Sequence, residues 1–142
     1  MSEDITPSSF PALREQYFDA LSTTLGLGLV AVVDGDGFAI VSAAAGYVRV
    51  FFEHDRGLCH FSVGSSTESK PLCSVEELAV RFPRIRLLPE GWQRLNLEEQ
   101  RAFLESRWQD LQVMFSPEHL PETRKWRQAA ATSYTKQFAR GS

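Results

Sequence analysis

The sequence has few cysteines and no long apolar run, and both absences narrow the class of protein. Only Cys59 and Cys73 occur among 142 residues, and a chain of this length buries enough surface to fold without disulfides. We expect two free thiols in a reducing compartment, with a single bridge as the alternative. No stretch approaches the roughly 20 apolar residues that span a bilayer. The start, MSEDITPSSF, has acids where a secretory signal carries bases. Together these two features predict a soluble cytoplasmic protein.

Positive charge is scarce over most of the chain. Residues 1 to 120 hold 17 acids and 10 bases, a balance of −7, whereas residues 121 to 142 hold one acid and five bases, a balance of +4. Because contacts with phosphate need a positive surface, the acidic body argues against nucleic acid as a partner. The C-terminal bases fit the solvated side of a last helix.

Motifs of the common enzyme classes are also missing, among them those of serine hydrolases, kinases, P-loop proteins and dinucleotide folds. Cys59 stands beside His60, but adjacent strand residues point to opposite faces and cannot form a nucleophile and base pair. His54 and Cys73 add two more possible zinc ligands, yet no pair has the close cysteine spacing of structural zinc sites. We therefore predict no catalytic residues, no metal and no cofactor.

The stretch VVDGDGFAIV, residues 32 to 41, sets two aspartates and two glycines between apolar runs. Asp-Gly pairs readily supply the positive φ of a hairpin turn, and LVAVV and FAIVSA on either side are rich in strand-forming residues. A calcium loop would need oxygen ligands where Phe38 and Ala45 stand. A phosphate cradle would need a helix after the glycines. The stretch therefore predicts a hairpin turn with an exposed acidic end.

Hydrophobic periodicity predicts four strands and four helices. The strands are LVAVV, FAIVSA, YVRVFFEH and LCHFSV. The helices are residues 10 to 24, SVEELAVRF with its first residue Ser74 as cap, NLEEQRAFLESRWQDLQVMF with its first residue Asn96 as cap, and a last helix from about Glu122 to Phe138.

Short connections between the strands predict an antiparallel meander, because parallel neighbours need long crossovers. The predicted fold is therefore α+β: an N-terminal helix, a four-stranded antiparallel meander and C-terminal helices that pack on one sheet face. We expect a single domain over residues 1 to 142, with residues 1 to 8 loose. If Asp55, Arg56 and Gly57 form a three-residue loop, His54 lies opposite Leu58, whereas a four-residue loop would shift this register.

Five acids give the candidate binding site, at a sheet edge or hairpin end. An acidic surface of this kind complements a basic protein and steers its encounter. The predicted partner-binding residues are Asp34, Asp36, Glu53, Asp55 and Glu68.

The acidic α+β chain, with its meander LVAVVDGDGFAIVSAAAGYVRVFFEHDRGLCHFSV and its helical end NLEEQRAFLESRWQDLQVMFSPEHL, resembles bacterial immunity proteins of contact-dependent or type VI polymorphic toxin systems. The resemblance implies a protein that neutralises a cognate toxin domain by binding it. No residue role is carried over, because immunity proteins differ in fold. Two alternatives remain: a type III-like secretion chaperone, and a small enzyme or ligand-binding domain. A homodimer is compatible with each.

Overall fold

The computed structural model describes residues 10–81 and 95–129. These residues form an N-terminal helical segment, a five-stranded antiparallel sheet and C-terminal helices, so the predicted α+β class is confirmed. In chain order the elements are α1 (Phe10–Leu13), a π-helical stretch (Arg14–Asp19), α2 (Ala20–Leu25), β1 (Gly28–Gly35), β2 (Phe38–Ala45), β3 (Val48–Asp55), β4 (Leu58–Ser65), β5 (Cys73–Ser74), α3 (Val75–Arg81), α4 (Leu97–Ser106), α5 (Trp108–Met114) and α6 (residues 120–129).

The sheet is a meander in which each strand pairs with the next along the chain, in the order β1-β2-β3-β4-β5. The predicted hairpin turn after β1 is confirmed: Gly35 pairs with Phe38, and Gly37 adopts the positive φ of 78°. The short strand β5, which was not predicted, pairs only with Ser62 and Val63 of β4. The sheet therefore has one long edge strand, β1, and one very short edge strand, β5.

The turn between β3 and β4 is shorter than the three-residue and four-residue loops considered from the sequence. Arg56 and Gly57 both adopt positive φ, 51° and 83°, which makes a two-residue turn. Asp55 therefore lies opposite Leu58. Because side chains alternate along a strand, a shift of one residue reassigns every β4 side chain to the other face of the sheet.

The two faces of the sheet differ in what covers them. On the face that we call the helix face, Phe52 stacks with Phe10 at 5.6 Å between ring centroids and with Phe18 at 6.2 Å. Phe61 of β4 completes this group, 4.9 Å from Phe52. The other face, which we call the outer face, carries Arg49, Phe51 and Glu53 of β3. The largest side chains buried in the core beneath the helices are Phe18, Phe52, Phe61, Phe103, Phe115, Leu21, Leu78, Leu104 and Leu111.

Local signals position the helices that cover the helix face. Asn96 and Glu99 form the predicted capping box at the start of α4, because each side chain accepts a hydrogen bond from the backbone N–H of the other residue. The predicted continuous helix breaks at Arg107, and α5 begins at Trp108. Ser106 donates its hydroxyl to the carbonyl of Phe103 just before the break, a local bond that competes with regular helix geometry.

The N-terminal helix is confirmed, with one departure. Arg14–Asp19 is π-helical, which adds a residue to the turn. In this segment Phe18 is buried and Tyr17 is partly buried. The last helix is observed over residues 120–129, and the rest of its predicted span to Phe138 lies outside the described residues.

Candidate protein-binding surface

Two turns bring three of the five predicted carboxylates to one end of the sheet. Asp34 stands at the end of β1, Asp36 lies in the following turn, and Asp55 ends β3. The backbone N–H of Arg56 donates to the carbonyl of Gly37 at 3.0 Å, which fastens the two turns to each other. We call Asp34, Asp36 and Asp55 the acidic tip.

The acidic tip combines exposed charge with exposed apolar surface. All three aspartates are exposed, and Asp55 Oδ1 lies 4.0 Å from Arg56 Nε, too far for a strong pair in water. Phe38 and Leu58, the residues on either side of Asp55 in the sheet, are 38% and 57% exposed. Protein-binding surfaces often combine an aromatic side chain, which anchors the partner, with exposed charges, which steer its approach.

Glu53 is held within the sheet, away from the acidic tip. It lies on the outer face, where His60 Nε2 is 2.9 Å from its Oε2 and the hydroxyl of Ser62 donates to the same oxygen at 2.6 Å. Burial alone would raise the pKa of Glu53, but the hydrogen bonds from His60 and Ser62, with the charge of His60, hold it below its ordinary value. The Glu53 carboxylate is therefore engaged in hydrogen bonds between β3 and β4. The sequence missed this pairing because it depends on the two-residue turn that sets the register of β4.

Glu68 lies at the opposite end of the sheet, three residues after the end of β4. Its carboxylate pairs with the guanidinium of Arg124 in α6, and its carbonyl accepts a hydrogen bond from Arg49 at 2.9 Å. Arg49 is only 8% exposed, donates twice to the hydroxyl of Ser42 and sits 4.9 Å over the ring of Phe51. Glu68 thus joins the outer face to α6 and is not brought together with the acidic tip.

A second surface, which the sequence did not single out, follows β1. Four of its apolar side chains are 48 to 62% exposed although they belong to a strand of a packed sheet. We call them the edge patch: Leu29, Val30, Val32 and Val33. The edge patch runs directly into Asp34, so the apolar edge and the acidic tip are continuous along one strand.

The two thiols do not form a reactive site with the neighbouring histidines. Cys59 and Cys73 are both free, and burial raises the pKa of Cys59 to about 11 and that of Cys73 to about 12. Both thiols are therefore protonated at neutral pH. Cys59 packs toward the helix face, whereas His60 points to the outer face, as the alternation of strand residues predicts. Among the described residues, no three acidic, histidine or cysteine side chains are grouped so that they could hold a metal ion.

Within residues 10–81 and 95–129, no helix is long and apolar enough to cross a membrane. No protein-family model, no curated protein and no solved structure matches this chain.

Proposed function

We propose that this protein binds and neutralises a cognate bacterial toxin domain, and that the toxin docks on the acidic tip. The proposal rests on one observation: three exposed carboxylates stand at one end of the sheet, next to exposed Phe38 and Leu58. The immunity proteins that the sequence resembles act by direct binding and need no chemistry of their own.

Charge determines which toxin fits. No ion pair links Asp34 or Asp36 to another described residue, so both carboxylates are available to a positively charged partner. A domain that acts on nucleic acid needs a basic surface to contact phosphates. An acidic tip that covers such a surface would block access to the nucleic acid. The toxin class that we propose is therefore a basic, nucleic-acid-directed domain.

The apolar residues beside the charges would supply affinity. Long-range attraction between charges mainly raises the association rate, whereas buried aromatic and aliphatic anchors lower the dissociation rate. Phe38 and Leu58 flank Asp55 on neighbouring strands, so one docked surface can contact all three residues. Binding should accordingly weaken with salt without being abolished by it.

The first experiment identifies the partner and then tests what it does. The tagged protein is purified from the cells that make it, and proteins retained in equal amount are identified by mass spectrometry. Capture alone does not count in favour of the proposal. The captured protein is then expressed by itself, and we expect it to be basic, to stop growth and to be harmless when this protein is co-expressed. A captured protein that is not toxic would refute the proposed function.

The second experiment locates the interface by reversing charge. We expect Asp34→Lys, Asp36→Lys and Asp55→Lys together to weaken toxin binding at least tenfold at low ionic strength, measured by titration calorimetry. The matched control carries Glu15→Lys, Glu118→Lys and Glu122→Lys, which change the net charge equally on exposed residues elsewhere. If the control weakens binding as much as the tip variant, net charge matters and the acidic tip is not the site.

A further inference from the structure

The two edges of the sheet are finished in different ways. At the β4 edge, β5 covers Ser62 and Val63, and the backbone N–H of Phe61 donates to the side chain of Gln100 at 2.8 Å. Leu72 also donates its N–H to the carbonyl of Val63 at 2.8 Å. This edge is therefore closed by the protein itself, as isolated edges in soluble proteins usually are.

The β1 edge has no such cover in the part of the chain that the structure describes. Seven of the eight residues of β1 pair with β2 on one side, Val30 being the exception, and no described residue forms a hydrogen bond on the other side. At about 3.3 Å per residue, this free edge is about 26 Å long. It contains neither lysine nor proline, the residues that commonly protect exposed edges.

The edge patch is apolar on both faces of the sheet. Val32 lies opposite Val41 on the helix face, whereas Val33 lies opposite Ile40 on the outer face. Val41 is completely buried, but Val32 is 48% exposed, so the covering layer stops one strand short of the edge. A strand added beyond β1 would cover apolar side chains on both faces at once.

We propose that a second copy of this chain supplies that strand, so that β1 pairs with β1 about a two-fold axis and forms one ten-stranded sheet. Antiparallel pairing of identical edges satisfies both rows of unpaired backbone groups and covers both edge patches in a single contact. This inference is independent of the proposed toxin binding.

The alternation of side chains fixes where the axis can pass. Opposite residues in an antiparallel pair share a face, so the axis must pass through a residue and not between two. An axis at Val32 sets the two Val32 side chains against each other and Ala31 against Val33 of the second copy. A β-bulge interrupts the β1 ladder between Leu29 and Ala31, so the regular pairing begins at Ala31.

The charge on β1 favours this arrangement over a parallel one. Asp34 is the only charged residue in the strand. With the axis at Val32, the two Asp34 residues are four positions apart, about 13 Å along the strands, which exceeds the screening length of roughly 8–10 Å at physiological salt. Parallel pairing would set the two carboxylates side by side. The antiparallel dimer also directs its two acidic tips to opposite ends, where each is free to bind a toxin.

The oligomeric state tests the inference without any partner. We expect the purified protein to sediment at twice the chain mass at tens of micromolar, and to dissociate on dilution, because the 8 residues of β1 are fewer than the roughly 20–30 residues a side of a standard interface. Val32→Lys should weaken dimerisation at least tenfold. Val113→Lys, on the exposed side of α5, is the control and should leave the dimer unchanged. A protein that is monomeric throughout, or a dimer that tolerates Val32→Lys, would overturn the proposal.

The two-fold axis itself gives a sharper test. Val32→Lys and Val32→Glu should each be monomeric alone, because each meets its own charge across the axis, and should form a mixed dimer when combined. In the otherwise unchanged chain, Val32→Cys should form a disulfide-linked dimer under mild oxidation, whereas Val113→Cys should not. If Val32→Cys forms disulfide-linked dimers no faster than Val113→Cys, the β1 pairing is wrong. This result does not depend on whether Val32→Lys folds. Val32→Lys should still bind toxin, so a failure of dimerisation and a failure of toxin binding are told apart.

Discussion

Gln100 provides the most direct test of how the helices are attached to the sheet. Its side chain is 2% exposed and makes two buried hydrogen bonds: Oε1 accepts from the N–H of Phe61 at 2.8 Å, and Nε2 donates to the carbonyl of Leu95 at 2.9 Å. Phe61 lies in β4 and Leu95 just before α4. One amide therefore covers the β4 edge at Phe61 and holds the start of α4.

Replacing Gln100 with leucine keeps a similar volume and removes both bonds. Phe61 and Leu95 are buried, so water does not readily reach the two unpaired backbone groups. Each unpaired buried group costs about 1–3 kcal/mol, and the leucine side chain regains about 1–2 kcal/mol through its own burial. We expect the free energy of unfolding to fall by about 3 kcal/mol, a large part of the roughly 5–15 kcal/mol typical of a domain.

Urea unfolding followed by circular dichroism measures this loss. With a slope of about 2 kcal/mol per molar urea, the midpoint should fall by about 1.5 M for Gln100→Leu. Gln109→Leu, on the exposed side of α5, is the control and should change the free energy of unfolding by less than about 0.5 kcal/mol. A Gln100→Leu variant that unfolds within about 0.5 kcal/mol of the wild type would refute the account of the β4 edge.

Two further predictions concern a helix start and the outer face. Asn96→Ala should lower the free energy of unfolding by about 1 kcal/mol in urea, because it removes the cap of α4, whereas Asn96→Ser should lose much less. Glu53→Gln should lower stability at neutral pH by about 1 kcal/mol, since the charged hydrogen bonds to half-exposed His60 and to Ser62 are weakened. The folded-state pKa of Glu53 lies below its ordinary value of 4.5, so its stabilisation is complete above that value and is lost as the pH falls through the folded-state pKa. Wild type and Glu53→Gln should therefore converge in stability on acidification, and curves that stay parallel from pH 6 to pH 3 would contradict this role of Glu53.

The fold was predictable where the signal is local. YVRVFFEH was predicted as a strand from its own residues, and it forms β3, with Phe52 toward the helices and Phe51 away from them. Asn96 and Glu99 sit three residues apart at a helix start, and both capping bonds form. In each case the residues that determine the structure are neighbours in sequence.

The features that were missed depend on contacts between distant residues or on a single backbone angle. The register of β4 turns on the positive φ of Arg56, which no composition rule assigns to arginine. The Glu53–His60 pair follows from that register. In the sequence, Gln100 looks like an ordinary helix residue. Its hydrogen-bond partner Phe61 is 39 positions away along the chain and comes beside it only in the folded protein.

The grouping of three of the five predicted carboxylates also follows from local signals. Asp34, Asp36 and Asp55 are turn residues, and turns at the ends of neighbouring hairpins meet at one end of a meander. Glu68 lies beyond the end of β4, where the alternation of turns puts it at the other end of the sheet. The edge patch was missed because LVAVV reads equally well as a buried central strand, and only the order of the strands makes it an edge.

Growth protection shows whether the acidic tip is needed to neutralise the toxin. Cells that express the captured toxin from an inducible promoter are supplied with the wild-type protein, the tip-reversal variant or the matched charge-reversal control. We expect full growth with the wild type and the control, and growth arrest with the tip-reversal variant at equal protein level. Growth protection by the tip-reversal variant equal to that by the wild type would contradict the acidic tip as the toxin-binding surface.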